Sequence, residues 1–168
     1  MLVIEPLSRD HDRDSFDCGV ESLNAFLSQT ARQHQDRGIS RTFVMTERET
    51  TPPKPVVGFF SLAATEGFTA QLASETAKRL PSRIPAVVLA RLAVCAQQHG
   101  KQHGATLLAE ALSQTAAISE RLGVAGMFVD AKDDRAAAFY RKAGFMPLTS
   151  QPLRLFLPLT AIRSLLTP

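Results

Sequence analysis

The sequence has no tryptophan, a single tyrosine and only two cysteines. Two thiols, Cys18 and Cys95, cannot build a disulfide framework, so a small stapled secreted module is excluded and a reducing compartment is expected. Long apolar runs are also missing. The longest, Ile84 to Ala90 counting Pro85, falls far short of the ~18 residues a membrane-spanning helix needs, and no membrane association is expected. The opening MLVIEPLSRD carries Glu5 where a signal peptide requires an apolar stretch. Glycine and proline number 9 and 10 in 168 residues, and no repeat or low-complexity tract is present, which excludes collagen-like and disordered classes. The histidines His11, His34, His99 and His103 have no metal-ligand spacing. His99 and His103 span a loop with no third ligand beside them, so no metal is expected.

What is present is a globular composition. Apolar residues make up 45%, enough for a sizeable core, and the length suits one domain over residues 1–168. A net charge of +3 suits an anionic partner. Strands are expected at Leu2–Ile4, Arg41–Thr46, Val56–Ala64, residues 86–94, Met127–Asp130 and Leu153–Leu157. Helical spacing runs through Glu21–Asp36, stopped by Gly38, and through Thr69–Leu80, stopped by Pro81. A long helix opens at Gly104 with Leu108, Leu112, Thr115, Ile118 and Leu122 on one stripe. Asp133 and Asp134 begin another, ended by Gly144, and Thr160–Leu166 forms a last helical turn. Glu47–Pro55 reads as a hairpin loop. Strands alternate with helices in the second half, which gives an α/β (α+β) class with a mixed sheet.

The most informative stretch is ARLAVCAQQHGKQHGATLLAEAL. An apolar strand enters a glycine-containing loop, and the loop enters a helix N-terminus. This geometry presents backbone N–H groups and the positive end of a helix dipole to an anion, with Lys101 adding charge. A ligand-free tight turn has the same pattern. Downstream, DAKDDRAAAFYRKAGF holds the only tyrosine, Tyr140. A phenol is neutral at pH 7 and able to donate a proton.

Here the chain resembles the GNAT acetyltransferases. Their pyrophosphate loop, V-x-x-x-x-[QR]-x-x-G-x-[GA] before a helix, is matched in spacing by Val94, His99 and Gly104. His99 stands where Gln or Arg is usual and Gln102 where the first glycine is usual. If position 102 needs φ > 0, Gln there costs on the order of 1 kcal/mol; if it is helical, only its N–H is needed. The later motif N-x-x-A-x-x-[FL]-Y-x-x-x-G-F is matched by Asp134, Ala137, Phe139, Tyr140, Gly144 and Phe145, with Asp in place of Asn. Four segments, FDCGVESLNAFL, VVGFFSLAA, LARLAV and FVDAKDDRAAAFYRKAGF, occur in the order found in the TacT-type toxins of type II toxin–antitoxin systems, a resemblance that covers roughly residues 1–160. Cys95 follows Val94 where that family usually has aspartate; it reads as small filler.

The resemblance implies a single GNAT domain with a mostly antiparallel central sheet flanked by helices. The sheet splays between the strand ending at Val94 and the strand 127–130 to admit acetyl-CoA. Ala93 and Val94 would hold the acetyl and pantetheine part, His99, Gly100, Lys101, Gln102, His103, Gly104 and Ala105 the pyrophosphate, with Asp134 beside the coenzyme. Tyr140 would be the general acid that protonates the leaving thiolate. The substrate implied is the α-amino group of aminoacyl-tRNA, the partner a ribbon-helix-helix antitoxin, the assembly a homodimer and the compartment the bacterial cytoplasm. Candidate RNA contacts are Arg32, Arg37 and Arg41, then Lys78, Arg79 and Arg83, then Arg141 and Lys142. Arg91, a charge inside an apolar strand, needs either a carboxylate partner or a ligand.

The strand 86–94 contains no Asp or Glu to serve as base. An α-amino group, with a pKa near 7.7–8.0 that esterification lowers, tolerates that absence better than a lysine does. Glu66 is the one alternative base, if its loop closes over the site. Two other functions stay open: a GNAT acting on a protein N-terminus or small amine, and a non-catalytic toxin remnant with a damaged cofactor loop.

Overall fold

The computed structural model describes residues 1–168, which divide into two compact units. The first unit comprises Met1–Ala63 and Ala90–Ala111, the second Ala64–Leu89 and Leu112–Pro168. Strands β5 (Gly58–Phe68) and β6 (Arg83–Val94) and helix α4 (His103–Ser119) each run through the division.

In the first unit, β1 (Leu2–Pro6) pairs antiparallel with β3 (Arg41–Glu47), and β3 pairs antiparallel with β5. The residues between β1 and β3 form one helical run: α1 (Glu21–Ala25), a π-helical turn (Phe26–Thr30) and α2 (Ala31–Asp36). The expected hairpin loop contains β4 (Lys54–Pro55), which pairs in parallel with β2 (His11–Asp12). Two-residue strands leave no period to read, so neither was legible. Buried His11 ties this ribbon down. Its Nε2 bonds the Glu5 carboxylate at 2.7 Å, and Lys54 donates to the same oxygen at 3.0 Å. The core gathers Leu7, Phe16, Phe26, Leu27, Val44, Phe59 and Ala93, with Cys95 packed at its edge as expected of a small filler.

In the second unit, β6 pairs in parallel with β7 (Gly126–Asp130) from Val87↔Met127 to Leu89↔Val129. Strand β9 (Arg154–Pro158) lies antiparallel between β7 and the short β8 (Met146–Pro147). Helices α5 (Asp134–Lys142) and α6 (Leu159–Leu166) complete it, and Ile84, Ala86, Phe128, Leu148 and Phe156 form its core. The pairing throughout is mostly antiparallel, in a mixed sheet with helices as expected. No helix is long and apolar enough to cross a membrane.

Of the boundaries that differ from the sequence reading, three have a plain physical cause. The helix expected over Thr69–Leu80 is broken into a 3-10 turn (Thr69–Gln71) and α3 (Ser74–Ala77). Leu72 and Ala73 are extended between them, because Leu72 turns into the core beside Ile84 while the Thr69 amide is bound to the Ser82 carbonyl. Strand β5 starts two residues late and continues to Phe68; its polar second half alternates exposure, as a half-solvated strand does. Leu122 lies beyond the end of α4 and is exposed, so the buried stripe stops short of it.

Candidate functional site

The loop after β6 is shaped by two left-handed residues. Gly100 has φ 81° and Gln102 has φ 63°, the only non-glycine residue with positive φ. Of the two conformations open for position 102, the chain adopts the strained one, at a cost of roughly 1–2 kcal/mol for a residue with a Cβ. A non-glycine residue held there points to a loop whose shape is imposed for a purpose. Helix α4 starts immediately afterwards at His103. The first N–H groups of a helix have no intrahelical acceptor, and the first turn of α4 contains no acidic residue that would compete with an anion. Lys101 is exposed and bonds Gln98 at 3.1 Å.

Three hydrogen bonds fix this loop from the side. His99 Nε2 donates to the Val94 carbonyl at 2.7 Å, so the histidine in the usual Gln/Arg place fastens the loop to the strand end. The Cys95 amide donates to the Val57 carbonyl, and the Ala96 amide to the Asp17 carbonyl. Asp17 in turn accepts from the Gly19 amide and from Asn24, and these bonds lower its carboxyl pKa, the Gly19 bond most. The segment FDCGVESLN is therefore a brace for the loop. Its positioning residues, Asp17 and Asn24, were legible only as part of a family segment, without a role.

Replacing Gln102 by glycine removes the left-handed penalty. The expected result is a rise in the thermal midpoint by a few degrees, at ~2–4 °C per kcal/mol for a chain of this size. A lower midpoint by calorimetry would show that the Gln102 side chain contributes more than its backbone costs.

In the second unit, the Asp133 carboxylate caps α5 by accepting from the Ala136 amide at 2.8 Å, which leaves Asp134 exposed in the first turn. One further turn along, Tyr140 is buried at 7% exposure, with its ring edge-on to Phe139 and Phe145. Its hydroxyl takes no hydrogen-bond partner within the chain, yet it is not an enclosed, unsatisfied atom. Burial drives the phenol pKa well above its ordinary value. The group is thus a protonated, uncommitted donor, with none of the backbone bonding that would mark a merely structural tyrosine.

The cations separate by unit. Arg32, Arg37, Arg41 and Arg91 lie in the first, and Lys78, Arg79, Arg83, Arg141 and Lys142 in the second. Arg37, Arg41, Arg141 and Lys142 are exposed and Arg32 is half-buried. Lys78 and Arg79 line an open groove of about 660 Å³, with Glu75 and Thr76 beside them and Leu80, Ala125 and Pro158–Thr160 completing it. Arg83 is committed elsewhere: it pairs with Glu66 at 3.3 Å and stacks over Phe68. This corrects the alternative base, because Glu66 sits on β5 rather than in a closing loop, where it pairs with Arg83. Arg91 has no carboxylate partner; its guanidinium lies 3.8 Å from the centroid of the Phe26 ring. No cluster of three metal-ligating side chains exists.

No family model matches the chain. It is similar, at 33% identity over 174 residues, to the probable toxin TacT of Sinorhizobium fredii, with 98% of this chain and 94% of the relative covered. It is 31% identical over 160 residues to a tRNA-acetylating toxin of Mycobacterium tuberculosis, covering 95% and 93%. Among solved structures, AtaT complexed with acetyl-methionyl-tRNAfMet superposes with a TM-score of 0.91 at 34% identity, covering 99% of this chain and all (100%) of that one. A tyrosine-to-phenylalanine mutant of AtaT bound to the C-terminus of the antitoxin AtaR and to acetyl-CoA gives 0.84 at 32%, covering 99% of each.

Proposed function

The chain belongs to the tRNA-acetylating toxins of toxin–antitoxin systems, and we propose from that premise that it transfers acetyl from acetyl-CoA to the α-amino group of aminoacyl-tRNA and so blocks translation. The observation that carries this reading is the left-handed loop of Gly100 and Gln102 opening directly into the first turn of α4, a geometry suited to a pyrophosphate. The residues fit that anion: free amides at His103, Gly104 and Ala105, no acid in the turn, and Lys101 alongside. In the reading, Ala93 and Val94 hold the acyl end, and residues 1–168 act as one GNAT domain.

The chemistry follows from what the chain supplies. The amine lone pair attacks the thioester carbonyl, a C–N bond replaces the C–S bond, and Tyr140 gives its phenolic proton to the departing thiolate. The proton the nitrogen sheds on becoming an amide passes to water, and water returns one to the Tyr140 phenolate. No carboxylate lies on β6 to take the amine's proton. An esterified α-amino group needs little help, since its pKa falls below about 7.7–8.0 and much of it is neutral at pH 7. The exposed cations Arg37, Arg41, Arg141 and Lys142, together with Lys78 and Arg79 on their groove, suit RNA phosphates. A net charge of +3 supports the same partner. The reading extends to a homodimer, a ribbon-helix-helix antitoxin and a bacterial cytoplasmic site of action.

Labelled acetyl-CoA incubated with the protein and bulk charged tRNA tests it. Label is expected on RNA and is expected to leave with the aminoacyl group on mild alkaline deacylation. Label on free amines or peptides with none on charged tRNA would move the assignment to a small-amine or N-terminal acetyltransferase. Absence of acetyl-CoA binding would mean a non-catalytic remnant.

A further inference from the structure

Arg91 is the charged group that the fold leaves unexplained. It sits on β6 three residues before Val94, inside a strand that is otherwise apolar apart from Arg83 at its start. It is half-buried, and burial lowers its pKa from the ordinary guanidinium value. Burying part of a charge is costly unless something repays it. The ordinary compensation is absent, for Arg91 forms no ion pair and its side chain makes no hydrogen bond within the chain. Its single contact of note is the Phe26 ring. Stacking on a ring face uses none of the five N–H donors of a guanidinium.

The stack is built deliberately. Phe26 begins the π-helical turn Phe26–Thr30, where the Ala31 amide reaches back to the Phe26 carbonyl. Such turns are rare, appear mostly as single-turn bulges inside α-helices, and are frequent at functional sites. The ring is 5% exposed and wedged between partners: Phe59 stacks at 6.2 Å and the His34 ring meets it edge-on at 5.8 Å. It is a fixed platform. Ala93, one strand period on from Arg91, packs in the same cluster as Phe26, so this face of β6 rests on the platform.

We infer that Arg91, seated over the Phe26 ring that opens the π-helical turn, is a substrate-binding residue whose unused N–H fork takes a phosphate of the RNA. The inference rests on the tRNA reading and adds to it a specific anion site and its positioning residue, Phe26. A planar fork matches two phosphate oxygens at once, which a lysine ammonium does not. The coenzyme's pyrophosphate is assigned to the amides of the loop after β6; we take the RNA backbone as the phosphate source for Arg91, and the acetyl-CoA arm of the test reports the coenzyme's remaining 3′-phosphate.

The test measures binding rather than turnover. Affinity for bulk charged tRNA and for acetyl-CoA is determined across a salt series for the wild type, Arg91→Gln and Arg91→Lys, with thermal midpoints read for each. For Arg91→Gln, RNA affinity is expected to fall about tenfold and the slope of log K against log salt to shrink by about 1, one phosphate contact being lost. Arg91→Lys keeps the charge and loses the fork, so the slope is expected to hold while affinity drops several-fold. Acetyl-CoA affinity stays unchanged in both. An unchanged RNA slope in Arg91→Gln, or a loss confined to acetyl-CoA, overturns the inference. A wild type that binds no charged tRNA overturns the tRNA reading itself. If Arg91→Gln does not fold, Arg91→Lys carries the comparison through its affinity loss at constant slope.

Discussion

Acetyl transfer by the Tyr140→Phe protein is expected to fall by roughly 10²–10⁴-fold, the usual contribution of a positioned general acid, with acetyl-CoA affinity and thermal midpoint close to wild type. The reasoning separates the ring from the hydroxyl. The ring packs edge-on against Phe139 and Phe145, and phenylalanine preserves both contacts. The hydroxyl has no partner within the chain, so deleting it strands no buried donor or acceptor and costs little stability. What disappears is the proton. Because burial holds the phenol pKa above its ordinary value, Tyr140 stays protonated as pH rises through the physiological and mildly alkaline range. The pH profile of the wild type is then expected to rise through the pKa of the substrate amine and flatten, with no descending limb from the acid below about pH 10, the unperturbed phenol value. A descending limb near pH 8–9, or a phenylalanine variant with wild-type turnover, would remove Tyr140 from this role.

Much of the fold around this site is legible in the sequence, and the reasons differ by feature. The α5 start at Asp133 and the stops at Gly38 and Gly144 are carried by local chemistry, and all three hold. Long strands and the amphipathic α4 announce themselves by period. Whether Gln102 is left-handed cannot be read from composition, because both conformations satisfy the spacing; only the backbone decides it. The break at Leu72–Ala73 was hidden because burial of one leucine outweighed a continuous helical pattern. The partner of Arg91 was hidden for a similar reason. A ring 65 residues earlier in the chain lies against it, leaving its N–H donors unused, and the π-helical turn that carries that ring has no signature in the sequence.

The coupling between fold and coenzyme site is most exposed at Gly58. A Cβ built there would meet the Ala93 carbonyl at 2.9 Å and Leu107 Cδ1 at 2.8 Å, with the Val94 Cα at 3.6 Å. The leucine can rotate; the carbonyl belongs to the backbone of β6 and cannot move without the strand. Gly58 therefore permits the close approach of β5 to the strand end that the proposed function assigns to the acyl donor, and to the opening turns of α4. Gly58→Ala forces one of these apart. Overpacking of this kind costs about 1–3 kcal/mol, so the thermal midpoint is expected to drop by roughly 2–4 °C for each kcal/mol. The more specific consequence is kinetic. The proposed function places the Ala93–Val94 carbonyls and the His99 bond to Val94 against the coenzyme, so the KM for acetyl-CoA is expected to rise severalfold while the KM for charged tRNA changes little. A uniform loss of stability with both KM values unchanged would mean that the strand end relaxes independently of the coenzyme, and Ala93 and Val94 would then lose their assigned part in holding it.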